Sequence, residues 1–171
     1  GLVVENDSNG YYRSPYYILP TQSSDSYTSG TYGKYLFLPY SQGIIVPEEV
    51  STDETATGDI TYDVFLSTSD SAFAKQDVSN AQDFSQGEND VNGPFALGVE
   101  AVKTLDDGDA TLVVYGCEQL FTDDANSVVS GANLTLFTNT FSGMAEHETS
   151  VSIPVKSYEV SNLVVDSAQI L

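Results

Sequence analysis

Residues Ala110 to Gly116, ATLVVYG, form the stretch that decides the predicted fold. An apolar run of this length is typical of strands that are buried on both faces in α/β sheets. The turn-forming sequence Asp106-Asp107-Gly108-Asp109 comes directly before it. The sequence therefore predicts a buried central strand that begins after a turn.

A helix and a second strand are predicted downstream of this run. Apolar residues recur at i, i+3, i+7 and i+10 from Leu134 to Met144, which predicts a helix with one apolar stripe. Ser130 or Asn133 is expected to cap its start. Val151 to Val155 is extended in character, and Pro154 favours an edge position. Strand, helix and strand in this order predict an α/β layer arrangement.

Length and charge limit the organisation and the partners. The 171 residues suit one domain, residues 1–171, and 5 basic against 25 acidic residues give a net charge of −20. Such a field opposes nucleic acid and anionic membrane surfaces, so neither is expected as a partner. The acidic residues collect in predicted loops, which indicates a solvated coat. The single cysteine excludes an intrachain disulfide.

Nothing in the sequence predicts that the chain itself inserts into a membrane. No apolar run approaches the ~18 residues that a membrane-spanning helix needs. Apolar runs near both termini, Leu2-Val3-Val4 and Leu163-Val164-Val165, favour a piece of a longer protein. We expect an extracytoplasmic location, on the cell surface or in the periplasm.

Tyrosines near the N-terminus are candidate ligand-binding residues. Eight of the eleven tyrosines fall within the first forty residues, and the candidates are Tyr11, Tyr12, Tyr16 and Tyr17. Tyrosine combines an apolar ring with a polar tip, which suits a solute- or glycan-binding face. The same composition is also typical of the lining of a packed loop.

Cys117 is the candidate nucleophile of a cysteine hydrolase, because it follows a predicted strand directly. His147, with Glu146 or Glu148 beside it, would complete a triad. A nucleophile elbow needs small residues two positions before and after the nucleophile, where this chain has tyrosine and glutamine. Nearby acids would raise the pKa of the thiol, and a structural cysteine is the alternative.

Two acidic segments partly match a calcium-binding loop, but such segments are usually plain turns, and no metal or other cofactor is predicted. Glu88 to Gly93 and Glu5 to Gly10 both match its first half. The twelfth position should be a bidentate glutamate, but it is Val99 in the first segment and Tyr16 in the second. One histidine without a second ligand does not predict a transition-metal site.

Several motifs follow one another in a recognisable order. They are the Val-Tyr-Gly strand end, Glu118 to Asp123, Gly131 to Thr140 and Ser152 to Lys156, with Leu2 to Glu5, Tyr16 to Pro20 and Phe65 to Ser69 upstream. This order resembles the extracytoplasmic domain of gliding-motility-type ABC transporter auxiliary subunits. Cys117 departs from the small polar residues that are usual at this point in the family.

The resemblance implies a non-catalytic α/β domain with flavodoxin-like or glutaminase-like layers, built on a mixed, largely parallel sheet with flanking helices. The chain would be the C-terminal part of the parent's soluble domain, anchored by a transmembrane segment that lies outside this sequence. Its partners would be the permease and ATPase subunits and exported cargo. The alternatives from other classes remain the tyrosine-based binding module and the Cys117 hydrolase.

Overall fold

The computed structural model describes residues 1–23, 27–47, 60–79, 83–106 and 108–145. Nine strands and two helices lie within these ranges. The strands are β1 (Leu2–Val4), β2 (Tyr17–Ile18), β3 (Thr21–Gln22), β4 (Leu38–Pro39), β5 (Ile60–Ser67), β6 (Phe73–Lys75), β7 (Val91–Asn92), β8 (Ala96–Leu105) and β9 (Gly108–Tyr115). The helices are α1 (Asp123–Val128) and α2 (Ala132–Met144).

The strands form three antiparallel sheets, so the predicted largely parallel α/β sheet is wrong. The sheet orders are β1-β6-β7, β2-β4 and β3-β5-β8-β9, and every pairing among them is antiparallel. The flavodoxin-like or glutaminase-like layering that the resemblance implied is therefore not the architecture of the described residues. The strand predicted at Val151 to Val155 lies outside them.

The ATLVVYG run belongs to a hairpin and is not a buried central strand. β8 and β9 pair from Gly98 opposite Tyr115 to Leu105 opposite Gly108. Within the described part of the chain β9 is an edge strand, and its Leu112 side chain is 59% exposed. Asp-Gly between two apolar strands is a strong hairpin signal, which explains why the strands run antiparallel.

The main core lies where the four-stranded sheet, the segment before β4 and helix α2 meet. Its fully buried side chains include Phe65, Leu97, Leu120 and Leu136. Burying one such side chain contributes about 1.5–3 kcal/mol relative to leaving it in water. A second, smaller cluster contains Val4, Tyr16 and Phe73.

Helix α2 lies where the periodicity predicts it, but its apolar stripe is exposed to solvent. Phe141 is 60% exposed and Leu134 56% exposed. The face that packs on the core presents Leu136 together with the polar side chains of Asn133 and Thr140. The N-cap is Gly131, in a left-handed conformation, so neither predicted capping residue caps the helix. Among the described residues, neither helix has both the length and the apolar character that crossing a bilayer requires.

Gly116 allows two chain segments to approach closely at the end of β9. Its carbonyl accepts a hydrogen bond from the Gln42 amide at 2.7 Å, and its amide donates to Leu97 at 2.9 Å. A Cβ atom at this position would lie 2.0 Å from the Gln42 carbonyl oxygen. Only glycine fits, and the contact holds the segment after β4 beside the start of the α1 region.

Candidate functional site

A groove of about 370 Å³ opens between the N-terminal loop and helix α1, and we call it the tyrosine groove. One wall is aromatic and the other belongs to the α1 region. The aromatic wall consists of Tyr12, Tyr17, Phe37, Pro39 and Tyr40, the α1 wall of Gln119, Thr122, Asp124, Ala125 and Val128, and Arg13 lies beside Tyr12.

Backbone hydrogen bonds shape the loop that presents the first tyrosines. The Leu19 amide donates to the Gly10 carbonyl at 2.8 Å, and the Tyr12 amide donates to the Tyr17 carbonyl at 2.9 Å. These bonds close a hairpin-like loop over residues 10–19, with Arg13 near its tip. Tyr17 then pairs with Pro39 across β2 and β4, which places the loop beside Tyr40.

The aromatic rings meet at steep angles and form a corner rather than a flat platform. Tyr17 and Tyr40 lie 5.5 Å apart at 88°, and Tyr17 and Phe37 lie 5.5 Å apart at 66°. Tyr12 meets Phe37 at 82°. Edge-to-face packing of this kind is favourable for aromatic pairs. A ligand in this corner would meet one ring face and the edge of another.

The α1 wall is fixed to the aromatic wall by buried hydrogen bonds. Asn133, which is fully buried, accepts a hydrogen bond from the Phe37 amide at 3.1 Å. Its side-chain amide donates to the Phe37 carbonyl at 2.9 Å and to the Leu120 carbonyl at 2.7 Å. Thr122 caps α1 by accepting from the Ala125 amide. One asparagine therefore holds both walls in register.

Three polar side chains in the groove have no protein partner within the described residues. The Gln119 amide, the Asp124 carboxylate and the Arg13 guanidinium make no hydrogen bond there, and the one ion pair joins Lys75 to Asp83. Arg13 instead lies over the Tyr12 ring, with Cζ 4.9 Å from the ring centroid. Polar groups left without protein partners in a concave site suit ligand recognition.

Two residues of the groove have a backbone conformation that side chains disfavour. Arg13 has φ 63° and Tyr40 has φ 54°, both in the left-handed region. The other non-glycine residue of this kind in the described ranges is Ser130. Left-handed conformations at such residues cost about 1–3 kcal/mol each and cluster at functional sites. The clustering of two of them on one groove marks it as a candidate site.

The four tyrosines predicted as ligand-binding residues divide into two pairs. Tyr12 and Tyr17 line the groove. Tyr11 is half-buried and forms a bridge with Ile18, and Tyr16 is only 3% exposed. The alternative interpretation, a packed loop, thus describes Tyr11 and Tyr16.

Tyr16 lies behind the groove and stacks on Tyr40, with ring centroids 6.0 Å apart at 30°. Its buried hydroxyl has no hydrogen-bond partner among the residues that the structure describes. Burial raises the pKa of Tyr16, and the nearby Asp83 and Asp90 add to the rise. A hydrogen bond to Tyr17, together with partial burial, raises the pKa of Tyr40. Both phenols are therefore neutral at physiological pH.

Cys117 is buried and engaged in the fold. Its thiol donates to the Pro39 carbonyl, with Sγ 3.1 Å from the oxygen. Burial raises the pKa of the Cys117 thiol, although several hydrogen bonds oppose the rise. A nucleophilic cysteine needs the opposite shift. Its candidate partner His147, with Glu146 and Glu148, lies outside the described residues.

The carboxylates of the two calcium-like segments accept hydrogen bonds from other groups of the protein. Asp90 accepts from the Gln76 amide through Oδ1 at 2.9 Å and from the Gly87 amide through Oδ2 at 2.8 Å. These bonds lower the pKa of Asp90. Glu5 is buried and accepts from the amide and hydroxyl groups of Ser69. Within the described ranges, no group of three or more metal-binding side chains is suitably placed for an ion.

Sequence reasoning missed several residues of the groove. Arg13, Phe37 and Asp124 come from three distant segments, and 96 residues separate Phe37 from the Asn133 that fixes it. One signal was present, because Arg13 is the only arginine of the sequence.

No protein-family model matches the chain, and neither a curated protein nor a solved structure shows significant similarity to it. The groove is therefore interpreted from its own geometry and chemistry.

Proposed function

We propose that this chain is a non-catalytic binding module whose tyrosine groove holds a small glycan. The observation that carries the proposal is one concave site that combines exposed tyrosine rings with the side chains of Arg13, Gln119 and Asp124, which have no hydrogen-bond partner among the described residues. Catalysis is not part of the proposal, because Cys117 is buried with its pKa raised.

The size of the groove supports a ligand of one or two sugar rings. Its volume of about 370 Å³ lies toward the lower end of the range for small-molecule sites, roughly 300–1,000 Å³. A groove open to solvent would bind a sugar residue while the rest of the glycan remains outside.

The chemistry of the two walls supports a sugar over a purely apolar ligand. A pyranose ring has C–H faces that suit aromatic rings, and a rim of hydroxyls that both donate and accept hydrogen bonds. Tyr12 and Tyr40 supply exposed ring surface, at 40% and 46% exposure. Asp124 supplies acceptors and Gln119 supplies both a donor and an acceptor on the opposite wall.

A role as an ABC transporter auxiliary domain stays a prediction from sequence. The antiparallel sheets give no support to the layered architecture that this resemblance implies. Contacts with permease and ATPase subunits or with cargo, extracytoplasmic location and anchoring by a parent protein also stay predictions. A glycan-binding groove is compatible with an extracytoplasmic location and does not depend on the resemblance.

Calorimetric titration with a panel of methyl glycosides and disaccharides tests the proposal. Tyr40→Ala should weaken binding about fivefold or more, because truncating a central aromatic contact typically costs more than about 1 kcal/mol. Tyr35→Ala is the matched control, since Tyr35 is 68% exposed and lies outside the groove.

Unchanged affinity in Tyr40→Ala, or equal loss in Tyr35→Ala, would rule out the groove as the binding site. Failure of the whole panel to bind would overturn the proposed function.

A further inference from the structure

The tyrosine groove contains a cation that forms no ion pair with the described residues, and this cation narrows the class of ligand. Arg13 is the only arginine in a chain with 25 acidic residues. It nevertheless pairs with no carboxylate in the described part of the chain. We infer that Arg13 binds a carboxylate of the ligand, so that the preferred ligand is an acidic sugar of the uronic acid class. This inference rests on the proposed function.

The position of Arg13 leaves its donors available. The guanidinium lies over the Tyr12 ring, and its N–H groups form no hydrogen bond with the described residues. Arginine has five such donors in a planar fork, which matches the two oxygens of a carboxylate. Stacking on Tyr12 also restricts the guanidinium before the ligand arrives, which reduces the entropy lost on binding.

The backbone holds Arg13 at this place against its intrinsic preference. Its φ of 63° would suit glycine or asparagine better than arginine. A fold that needed only a turn here would be more stable with glycine. The left-handed conformation therefore indicates that the Arg13 side chain has a role that glycine could not supply.

The charges that face the groove suit a ligand with an acid at one end and hydroxyls at the other. Arg13 stands beside the aromatic wall and Asp124 on the α1 wall. A uronic acid places one carboxylate against Arg13 and directs hydroxyl donors toward Asp124 and Gln119. A neutral sugar would leave the guanidinium without a partner.

The net charge of −20 opposes an anionic ligand at long range. Salt screens charges beyond about 8 Å at physiological ionic strength. The contact with Arg13 acts at hydrogen-bond distance, where screening is weak. Binding is therefore best measured at physiological ionic strength.

The test compares matched pairs of ligands that differ in the carboxylate alone. Methyl glucoside and methyl galactoside are titrated by calorimetry against the corresponding methyl uronides at physiological salt, with acetate as a third probe. The uronide of at least one pair should bind about tenfold or more tightly than its neutral partner. Arg13→Gln should abolish this preference, so that the uronide and its neutral partner bind with nearly equal affinity.

Two further variants test whether the preference for uronides depends on the guanidinium group of Arg13. Arg13→Lys keeps the charge and should restore only part of the preference, because an ammonium cannot form the bidentate pair. Lys34→Gln removes an exposed cation outside the groove and should change nothing.

The outcomes separate this inference from the proposed function. Equal binding of neutral and acidic sugars, or a preference that survives Arg13→Gln, would overturn the inference and leave the glycan site standing. Acetate that binds as tightly as the uronides would also overturn it, since the site would then recognise an anion without a sugar. Absence of binding by all sugars would overturn both.

Discussion

The molecule exposes aromatic rings in two regions, the tyrosine groove and a phenylalanine face, and they differ in what surrounds the rings. The phenylalanine face consists of Phe121, Phe137 and Phe141, with successive ring centroids 5.0 Å and 4.6 Å apart. Its depression is small, about 100 Å³, and the side chain of its neighbour Asn126 already accepts a hydrogen bond from the Leu134 amide.

The tyrosine groove is larger, and its Arg13, Gln119 and Asp124 side chains have no hydrogen-bond partner among the described residues. It is also the region where two residues hold left-handed backbone conformations. Exposed aromatic area alone therefore does not identify a binding site. Size and local backbone strain distinguish the groove from the phenylalanine face, whose depression is also lined by a carboxylate, that of Asp123.

Asn133→Ala should produce the largest loss of stability. The Asn133 side chain forms hydrogen bonds both with Phe37 in the tyrosine groove and with Leu120, which directly precedes Phe121 of the phenylalanine face. The variant leaves the Phe37 amide and carbonyl and the Leu120 carbonyl buried without their partner. We expect the free energy of unfolding to fall by about 3–5 kcal/mol, since each unsatisfied buried group costs roughly 1–3 kcal/mol. Urea denaturation measures it.

Thr138→Ala is the matched control on the same helix. Its hydroxyl is exposed and bonds only within the helix, to the Leu134 carbonyl. A loss in Asn133→Ala no larger than in this control would show that the two regions are not joined through Asn133.

Tyr16→Phe should increase stability without changing ligand binding. It thereby distinguishes residues that pack behind the tyrosine groove from residues that line it. The variant removes a buried hydroxyl that has no partner, so the free energy of unfolding should rise by about 1 kcal/mol. Affinity for the ligand should not change, because Tyr16 does not line the groove. Denaturation of both proteins at neutral pH checks the first expectation.

The same pair of proteins should differ in pH dependence. The pKa of Tyr16 is raised in the folded state, so its neutral form is favoured there. Its contribution to stability is present below the unfolded pKa, about 10, and is lost as pH rises above that value. Tyr16→Phe lacks this loss, so its advantage over the wild type should grow above about pH 10. A variant that is less stable than the wild type at neutral pH would contradict this account of the buried hydroxyl.

Replacing Ser130 or Arg13 by glycine should give the smallest changes in stability. The two variants compare backbone strain outside the tyrosine groove, at Ser130, with backbone strain within it, at Arg13. Ser130 lies in the turn before α2 with φ 53°. Ser130→Gly should raise the free energy of unfolding by about 0.5–1 kcal/mol without affecting ligand binding. Arg13→Gly relieves similar strain but removes the guanidinium contact with Tyr12 and should weaken binding of acidic sugars. Denaturation and ligand titration of the two variants check these expectations. Undiminished binding of acidic sugars by Arg13→Gly would contradict a role for the Arg13 side chain in binding.

Local patterns in the sequence located several elements but not their arrangement. The helix after Gly131 and the strand at Ala110 follow from the hydrophobic pattern. The antiparallel pairing of this strand does not, because continuous apolar character is typical of parallel sheets, whereas the preceding Asp-Gly sequence indicates a hairpin. The run of β9 is apolar on both faces although one face is exposed.

The groove was only half predictable for a related reason. Tyr12 and Tyr17 were candidates from composition, but Tyr16 between them is buried. Which tyrosine points outward depends on the pairing of β2 with β4 and on the buried contacts of Asn133, which come from distant parts of the chain. The periodicity of α2 also predicted the wrong buried face, since the side of the helix that packs on the core contains the buried Asn133.

A titration followed by backbone-amide NMR tests most directly whether the tyrosine groove is the binding site. With methyl uronides and their neutral counterparts as ligands, we predict shifts concentrated at Tyr12, Arg13, Tyr40 and Asp124, and little change along helix α2 at Phe137 and Phe141. Shifts centred on the phenylalanine face, or none anywhere with any of the sugars, would contradict the proposal.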